Sequence, residues 1–361
     1  MQTILFRADG SSVIGVGHIV RCATLASELK SRGIQVHLAV SASSSLPDWV
    51  ESLFPGPIHS LNPRDKSIPD HGQRLSHSAW LHGSQQDDAL QTQELIKCRL
   101  DGKVDSIVVD HYGLDARWHR AMHQFCSSIM AIDDLADRKL DVSVVLDQNR
   151  PPAIGEQLYR RLASESCFLA MGPKWALIRN EFKTLRSDRK SDADEPRILL
   201  MSGGSNIGSL ADICLEGLLA LGRKLQIDVI VGASDTRDEL MDLCQDTHHQ
   251  IRIHVAPERP ARIMASADLA ISSAGSTTWE LACLGVPALL ITVAENQIAV
   301  VKQALDAGTA VHVPSLDAAA VREAAGLMIE DRDRLNRMER AGRELVDGEG
   351  AVRIADLLLS R

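Results

Sequence analysis

Residues 272–297 read SSAGSTTWELACLGVPALLITVAENQ, and this stretch decides the fold. The apolar run Asp268–Ser272 is a strand, the turn after it opens a helix, and a second apolar run, Ala288–Thr292, is another strand. Strand, helix and strand in so short a span is a parallel βαβ unit. Ligands of open α/β sheets gather beyond the carboxyl ends of strands, so the turn at Ser273–Thr277 and the loop Glu295-Asn296-Gln297 face one crevice. Gly275 lets a ligand approach the backbone. The unpaired N–H groups of the helix start, with the Ser276 and Thr277 hydroxyls, suit a pyrophosphate. Glu280, one turn in, is placed to take two ribose hydroxyls. The pattern is that of a site for a nucleotide joined to a sugar, although an ordinary βαβ unit with a glycine turn shares it.

Working outward, the same alternation fills the chain. Strands are expected near Thr3–Arg7, Gln35–Val40, Ser106–Val109, Ser128–Ile132, Ser143–Leu146 and Cys167–Ala170. A second set follows at Arg197–Met201, Gln226–Val231, Gln250–His254, the two strands above and Ala310–His312. Helical patterns lie between them, as at Leu210–Leu221, Arg237–Cys244 and Asn296–Ala307, and two more, Asp333–Leu345 and Ala351–Ser360, close the chain. The charged, apolar-poor SDRKSDADEP is the linker. The fold class is therefore α/β, two Rossmann-like domains facing a cleft: 1–186, a linker at 187–196, 197–346, and a C-terminal helix in 347–361. A long polar stretch, Ser60–Gln93, interrupts the first domain and ends in a helix that includes Asp88–Arg99.

At 361 residues each domain can bury its own core. Only 3% of residues are aromatic and the net charge is −9, so nucleic acid and anionic membranes are not expected partners. The odd count of seven cysteines, with no C-x-x-C, predicts free thiols in a reducing cytoplasm. The start MQTILFRADG is a strand, not a signal peptide, and no apolar run is long enough to span a membrane.

The first strand ends in Arg7-Ala8-Asp9. A Gly/Ser loop carrying Gly15 and Gly17 leads to a helix that begins with His18, and Arg21 shares a face with His18. A helix start disfavours imidazolium, and a neutral imidazole is what a general base requires. A capping histidine without chemistry fits the same position. Arg21 pairs with Asp9 or holds a phosphate in this reading. Asp110-His111-Tyr112 and Asp133-Asp134 end two further strands facing the same crevice; a carboxylate from either orients His18, shares its proton or binds sugar hydroxyls, unless it only caps a helix. Gln148-Asn149 is another polar pair at that edge. Met201-Ser-Gly203-Gly204-Ser205 opens the second domain as a further phosphate-type loop. Dinucleotide binding is rejected, because Val20 stands where the third glycine of the fingerprint belongs and no acid ends the second strand. His119 and His123 have i, i+4 spacing without a third ligand, so no metal is expected and a solvated helix face is. His248-His249 reads as a surface turn.

Together these segments resemble the UDP-2,4-diacetamido-2,4,6-trideoxy-β-L-altropyranose hydrolases of pseudaminic acid biosynthesis. The resemblance rests on FRADGSSVIGVGHIVR (Phe6–Arg21), VDHYG (Val109–Gly113), IDD (Ile132–Asp134), GPKWALIR (Gly172–Arg179), SGGS (Ser202–Ser205), AGSTTWE (Ala274–Glu280) and AENQ (Ala294–Gln297). It implies the two-Rossmann GT-B fold and inverting cleavage of an anomeric C–O bond by water, releasing UDP and a free diacetamido sugar without a cofactor. His18 would be the general base, with Asp9 and Asp110 as catalytic carboxylates. Gly15, Gly17, Arg21, His111, Tyr112, Asp134 and Asn149 would line the sugar site. Gly203, Gly204, Ser205, Ser273, Gly275, Ser276, Thr277, Glu280, Glu295, Asn296 and Gln297 would hold UDP. A GT-B glycosyltransferase with a UDP-sugar donor is the alternative, and a non-enzymatic sugar-nucleotide sensor a third class. The oligomeric state stays open.

Overall fold

The computed structural model describes the chain except residues 12, 63–74, 82, 187–194, 202–207, 233–239, 242–243 and 245–246, and the side chains of 208, 209 and 296. Most of the linker and of the helix expected at Arg237–Cys244 thus lie outside the described residues. The chain forms two compact units, 1–177 with 349–361, and 178–348. This division differs from the expected one at both ends. The helix Asn180–Leu185 packs with the second unit, against Thr277–Leu284, and the last helix, Gly350–Leu359, returns to the first.

The first unit holds a seven-stranded sheet: β1 (Thr3–Ala8), β2 (Gln35–Ser41), β3 (Ile58–Leu61), β4 (Val104–Asp110), β5 (Cys126–Ile132), β6 (Val144–Asp147) and β7 (Phe168–Met171), in the order β3-β2-β1-β4-β5-β6-β7. All its pairs are parallel. β3 was not expected, because it is a short edge strand that buries only Leu61 fully and so lacks the continuous apolar run of a central strand. The second unit holds β8 (Arg197–Met201), β9 (Gln226–Val231), β10 (Gln250–Val255), β11 (Leu269–Ser273), β12 (Ala288–Ile291) and β13 (Ala310–Val313), parallel, in the order β10-β9-β8-β11-β12-β13. In both sheets the strand order reverses beside the first strand, between β1 and β4 and between β8 and β11. These are the switch points where a crevice opens at the carboxyl ends.

Packing follows from strands buried on both faces. One side of the first sheet buries Ile4, Phe6 and Val108 against Ile19, Leu25 and Leu29 of the helix Gly17–Ser31 and against Ile354 and Leu358 of the last helix. A Cβ at Gly350 would stand 2.1 Å from the Ala176 carbonyl oxygen, so the entry to that last helix requires glycine. The other side buries Leu5, Ile107 and Trp118 beneath the helix Gln85–Arg99. That helix is capped by Ser84, which accepts the Asp87 N–H at 3.1 Å; Asp87 and Asp88 lie in its first turn and Lys97 and Arg99 in its last, matching the helix dipole.

β1 also carries a buried charge. The Arg7 guanidinium, wholly enclosed, donates to Asp9 at 2.6 and 2.9 Å and to Asp88 from Nε at 3.1 Å; Trp118 Nε1 donates to Asp88 at 2.7 Å. Burial alone would lower the pKa of Arg7, but Asp88 and Asp9 more than reverse this, so the side chain stays charged. Breaking such a set by removing one member leaves uncompensated buried charge. Arg7→Met should therefore destabilise the protein by ~3–5 kcal/mol in urea unfolding, whereas a loss below about 1 kcal/mol would mean that Asp9 and Asp88 are well solvated without it.

Candidate active site

Register sets the site. Ala8 pairs with Asp110 across β1 and β4, so Asp9 and Asp110 leave neighbouring strands at the same edge. After Asp9 the chain turns back: the Gly15 N–H donates to the Ser11 carbonyl at 2.8 Å, with Gly15 at φ +79°, a left-handed value that suits glycine. The helix then starts at Gly17 with no side-chain cap and no acid in its first turn, and neither Gly15 nor Gly17 has anything within 4 Å of where a Cβ would be. His18 is the second residue of this helix.

His18 Nδ1 lies 2.6 Å from Asp110 Oδ1. Arg21 grips the same carboxylate with both arms, Nε to Oδ2 at 2.5 Å and Nη2 to Oδ1 at 2.6 Å. Burial by itself would raise the pKa of Asp110. The charges of Arg21 and His18 outweigh it and hold the carboxyl well below its usual range. An ionised carboxylate can only accept, so Nδ1 must carry the proton, and the 3.3 Å approach of Arg21 Nη2 to Nδ1 is a contact between two donors. The neutral tautomer then has its lone pair on Nε2, which makes no hydrogen bond among the described residues. Of the three acids expected as candidates to orient His18, Asp110, Asp133 and Asp134, it is Asp110 that bonds to it. Arg21 pairs with Asp110, and at 3.5 Å with Asp134, rather than with Asp9.

Asp9, expected among the catalytic carboxylates, is enclosed by partners of its own. Besides Arg7, its carboxylate accepts the Ser41 N–H at 2.7 Å and the Ser44 hydroxyl at 3.2 Å, and His111 Nε2 stands 3.2 Å away. Although burial opposes it, these partners, Arg7 foremost, keep Asp9 ionised. His111 accepts the Gly113 N–H at Nδ1 (3.0 Å), which leaves its Nε2–H toward Asp9; burial lowers its pKa. Asp9 and His111 thus hold the strand ends together beneath the site, and both are almost completely enclosed.

Tyr112, Asp134 and Asn149 do come together beside His18. The Tyr112 ring meets the imidazole edge-on at 4.8 Å, and its hydroxyl donates to Asp134, which also accepts Asn149 Nδ2 at 2.7 Å. Asp133 is set apart, holding the Tyr159 hydroxyl at 2.7 Å and Arg138 at 2.7 Å. Asp147, at the end of β6, was missed. Burial and the nearby Asp134 push it up to about 6 despite its bond to Arg150 at 2.7 Å. It directly precedes the Gln148-Asn149 pair, and the carboxyl-end rule applied one residue earlier would have found it.

In the second unit, Gly203, Gly204 and Ser205 lie outside the described residues. Ser273 ends β11, Gly275 is open where a Cβ would stand, and the helix Thr277–Leu284 begins with Ser276 exposed and no side-chain cap. Thr278 adds a buried Oγ1 with no hydrogen-bond partner among the described residues. Glu280 lies in the first turn, and Arg179 Nη2 donates to its Oε1 at 3.2 Å. Burial raises the Glu280 pKa, and Arg179 opposes the rise. Arg179 also pairs with Glu181 at 2.9 Å and lies over Phe182. Glu295 is exposed, whereas Gln297 Oε1 accepts the Val293 N–H at 2.9 Å and so shapes its own loop; the Asn296 side chain is not described.

Two parallel sheets with matching switch points define the class: two Rossmann-like domains of the GT-B type. The likeness to the crystal structure of MurG from Acinetobacter baumannii covers 100% of both chains, with a TM-score of 0.69 at 19% identity. Residues 198–351 match the glycosyltransferase family 28 C-terminal domain. In sequence the chain resembles the UDP-2,4-diacetamido-2,4,6-trideoxy-beta-L-altropyranose hydrolase of Campylobacter jejuni, 24% identical over 81% of this chain and 93% of that protein. It is also 25% identical, over 78% of its length, to the uncharacterized protein MJ1062 of Methanocaldococcus jannaschii, and spans about half of that longer protein, 54%.

Of the paired histidines, His123 is exposed as expected and His119 is not. His119 is buried, not solvated, and its Nδ1 accepts the Asp141 N–H at 3.2 Å. The His248-His249 pair does form a bend before β10, with His248 exposed, but His249 is buried and accepts the Leu225 N–H at 3.2 Å. Among the described residues no group of three or more His, Cys, Asp or Glu could hold a metal ion. Burial lowers the His119 pKa to about 3. A folded-state value below the unfolded one, roughly 6.5, gives stability that is full above that pH and lost as pH falls toward 3. His119→Asn keeps an acceptor near the Nδ1 position but cannot titrate. Urea unfolding should then vary less with pH between about 6.5 and 3, by up to roughly 1.4 kcal/mol per pH unit. An unchanged slope would mean that His119 charges freely in the fold.

Proposed function

We propose that the protein hydrolyses a UDP-linked diacetamido-trideoxy sugar at its anomeric carbon, with inversion, giving UDP and free sugar for nonulosonic (pseudaminic) acid biosynthesis. The observation that carries this reading is the 2.6 Å bond between His18 Nδ1 and Asp110. With Nδ1–H directed at that carboxylate, this reading leaves the lone pair of the other ring nitrogen, Nε2, for the substrate. In this reading Nε2 takes a proton from water as the water oxygen bonds to the anomeric carbon. The C–O bond to the diphosphate breaks and its electron pair leaves with UDP. Asp110, locked by Arg21, fixes the tautomer and stabilises the imidazolium that forms. Tyr112, Asp134 and Asn149 offer polar contacts to the sugar, and the open Gly15–Gly17 turn gives it room. On the second unit, the peptide N–H groups of Ser276 and Thr277 meet the diphosphate, the Gly275 N–H being held by the Ser273 carbonyl at 2.9 Å, and Glu280, one oxygen already on Arg179, offers the other to the ribose. The sequence resemblance to the Campylobacter jejuni hydrolase supports the same chemistry.

A glycosyltransferase using a UDP-sugar donor is the second reading, favoured by the family 28 domain match. The two separate in an acceptor-free assay in ¹⁸O-water. Hydrolysis puts the label on the anomeric carbon of free sugar and none on UDP, and the first-formed anomer is opposite to that of the substrate. Label in UDP, or turnover only when a sugar or lipid acceptor is added, would overturn hydrolysis. His18→Asn should lower kcat at least ~100-fold while UDP binds as before. A variant keeping most of its turnover would remove His18 as the base.

Glu280→Ala should weaken UDP about 10- to 100-fold, the worth of a charged hydrogen bond, and weaken deoxy-UDP much less. Equal losses for both nucleotides in calorimetry would make Glu280 a structural partner of Arg179 only.

A further inference from the structure

The chain has only two tyrosines and five tryptophans, yet one of each meets beside His18. Trp80 belongs to a single 3-10 turn, Ser78–Trp80, within the long polar stretch Ser60–Gln93. Its ring stacks on Tyr112 at 5.3 Å and 30°, and stands edge-on to His18 at 5.7 Å and 81°. Tyr112 is buried and tethered to Asp134, so it backs Trp80 as a fixed support. Trp80 itself is only half-buried. His77 completes the group, 4.8 Å from Trp80 and 5.4 Å from Tyr112, and its buried Nδ1 has no hydrogen-bond partner among the described residues.

We propose that Trp80 is a specificity-determining wall of the sugar subsite, selecting sugars that present a deoxygenated, C–H-rich edge beside His18, with His77 serving an acetamido group. This rests on the reading of the protein as a UDP-sugar enzyme. The imidazole of His18 has two unlike sets of neighbours. The charged Asp110–Arg21 pair meets its Nδ1, and the aromatic rings of Trp80 and Tyr112 stand edge-on to it. A sugar reacting at His18 meets the half-buried indole beside it. A hydroxyl against the indole face would lose water without gaining a partner, whereas a methyl gains contact area. Sugars keeping the 6-hydroxyl are therefore discriminated against, and the long polar stretch contributes to the site by delivering this ring.

The test is calorimetric binding in the His18→Asn background, where the expected loss of turnover slows consumption of the ligand. The probes are a UDP-2,4-diacetamido-2,4,6-trideoxyhexose, UDP-N-acetylglucosamine and UDP. The trideoxy sugar nucleotide should bind at least ~10-fold more tightly than the 6-hydroxylated one. Trp80→Ala should shrink that ratio to below about 3-fold with UDP unchanged, and Trp80→Phe should keep most of it. Should Trp80→Ala fail to fold, Trp80→Leu carries the same comparison. A ratio unaffected by loss of the ring, equal weakening of all three ligands, or no preference at the outset would each overturn the proposal. Turnover by the wild-type protein judges hydrolysis separately, so either reading can fail without the other.

Discussion

The buried guanidinium of Arg7 is the constraint on which the first unit depends. A charge at the end of a central strand, out of reach of water, demands carboxylates around it, and Asp9 and Asp88 answer. These pairs fasten β1 to the helix Gln85–Arg99, and Asp9 in turn fastens β1 to β2 through the Ser41 N–H. With Asp9 fixed, the loop that follows leaves from a set point, and the helix bearing His18 begins where β1 and β4 diverge. The position of His18 is thus inherited from a charge network built around Arg7.

Two carboxylates one strand apart end up with different duties because their neighbours differ. Asp9 is saturated by Arg7, Ser41 and Ser44, with His111 beside it, and keeps no lone pair toward the crevice. Asp110 is held by a bidentate arginine and by an imidazole, so its negative charge is spent on fixing the His18 ring. Polar groups at the same sheet edge thus sort into a supporting layer and a layer available to a ligand. The supporting layer includes Asp133 with Tyr159 and Arg138.

Much of this was legible in sequence. The alternation of strands and helices gave both Rossmann-like domains, and local pattern placed Asp110 and Tyr112 beside His18 at one sheet edge and Glu280 in the first turn of the helix after β11, because these placements depend on neighbours within a few residues or on adjacent strands. What was not legible depended on long-range pairing. Arg7 and Asp88 stand 81 residues apart, and nothing local marks them as partners. Arg179 and Glu280 are 101 apart. Asp9 looked like Asp110 in its local pattern, and only the Ser41 and Arg7 contacts distinguish them. His119 looked like a solvated surface residue because i, i+4 spacing says nothing of which helix face is covered. The short edge strand β3 lacked the apolar density by which buried parallel strands are recognised.

The last helix has a consequence for how the protein comes to be made. Gly350–Leu359 completes the apolar face beneath β1, yet it is synthesised only after all of the second unit. The first unit would wait with Ile19, Leu25 and Leu29 partly uncovered until the whole of the second unit has been synthesised. The second unit, whose sequence is continuous, suffers no such delay. Vectorial folding therefore runs out of order here: the domain begun first is the one finished last, and during that interval it exposes the kind of apolar surface that chaperones bind.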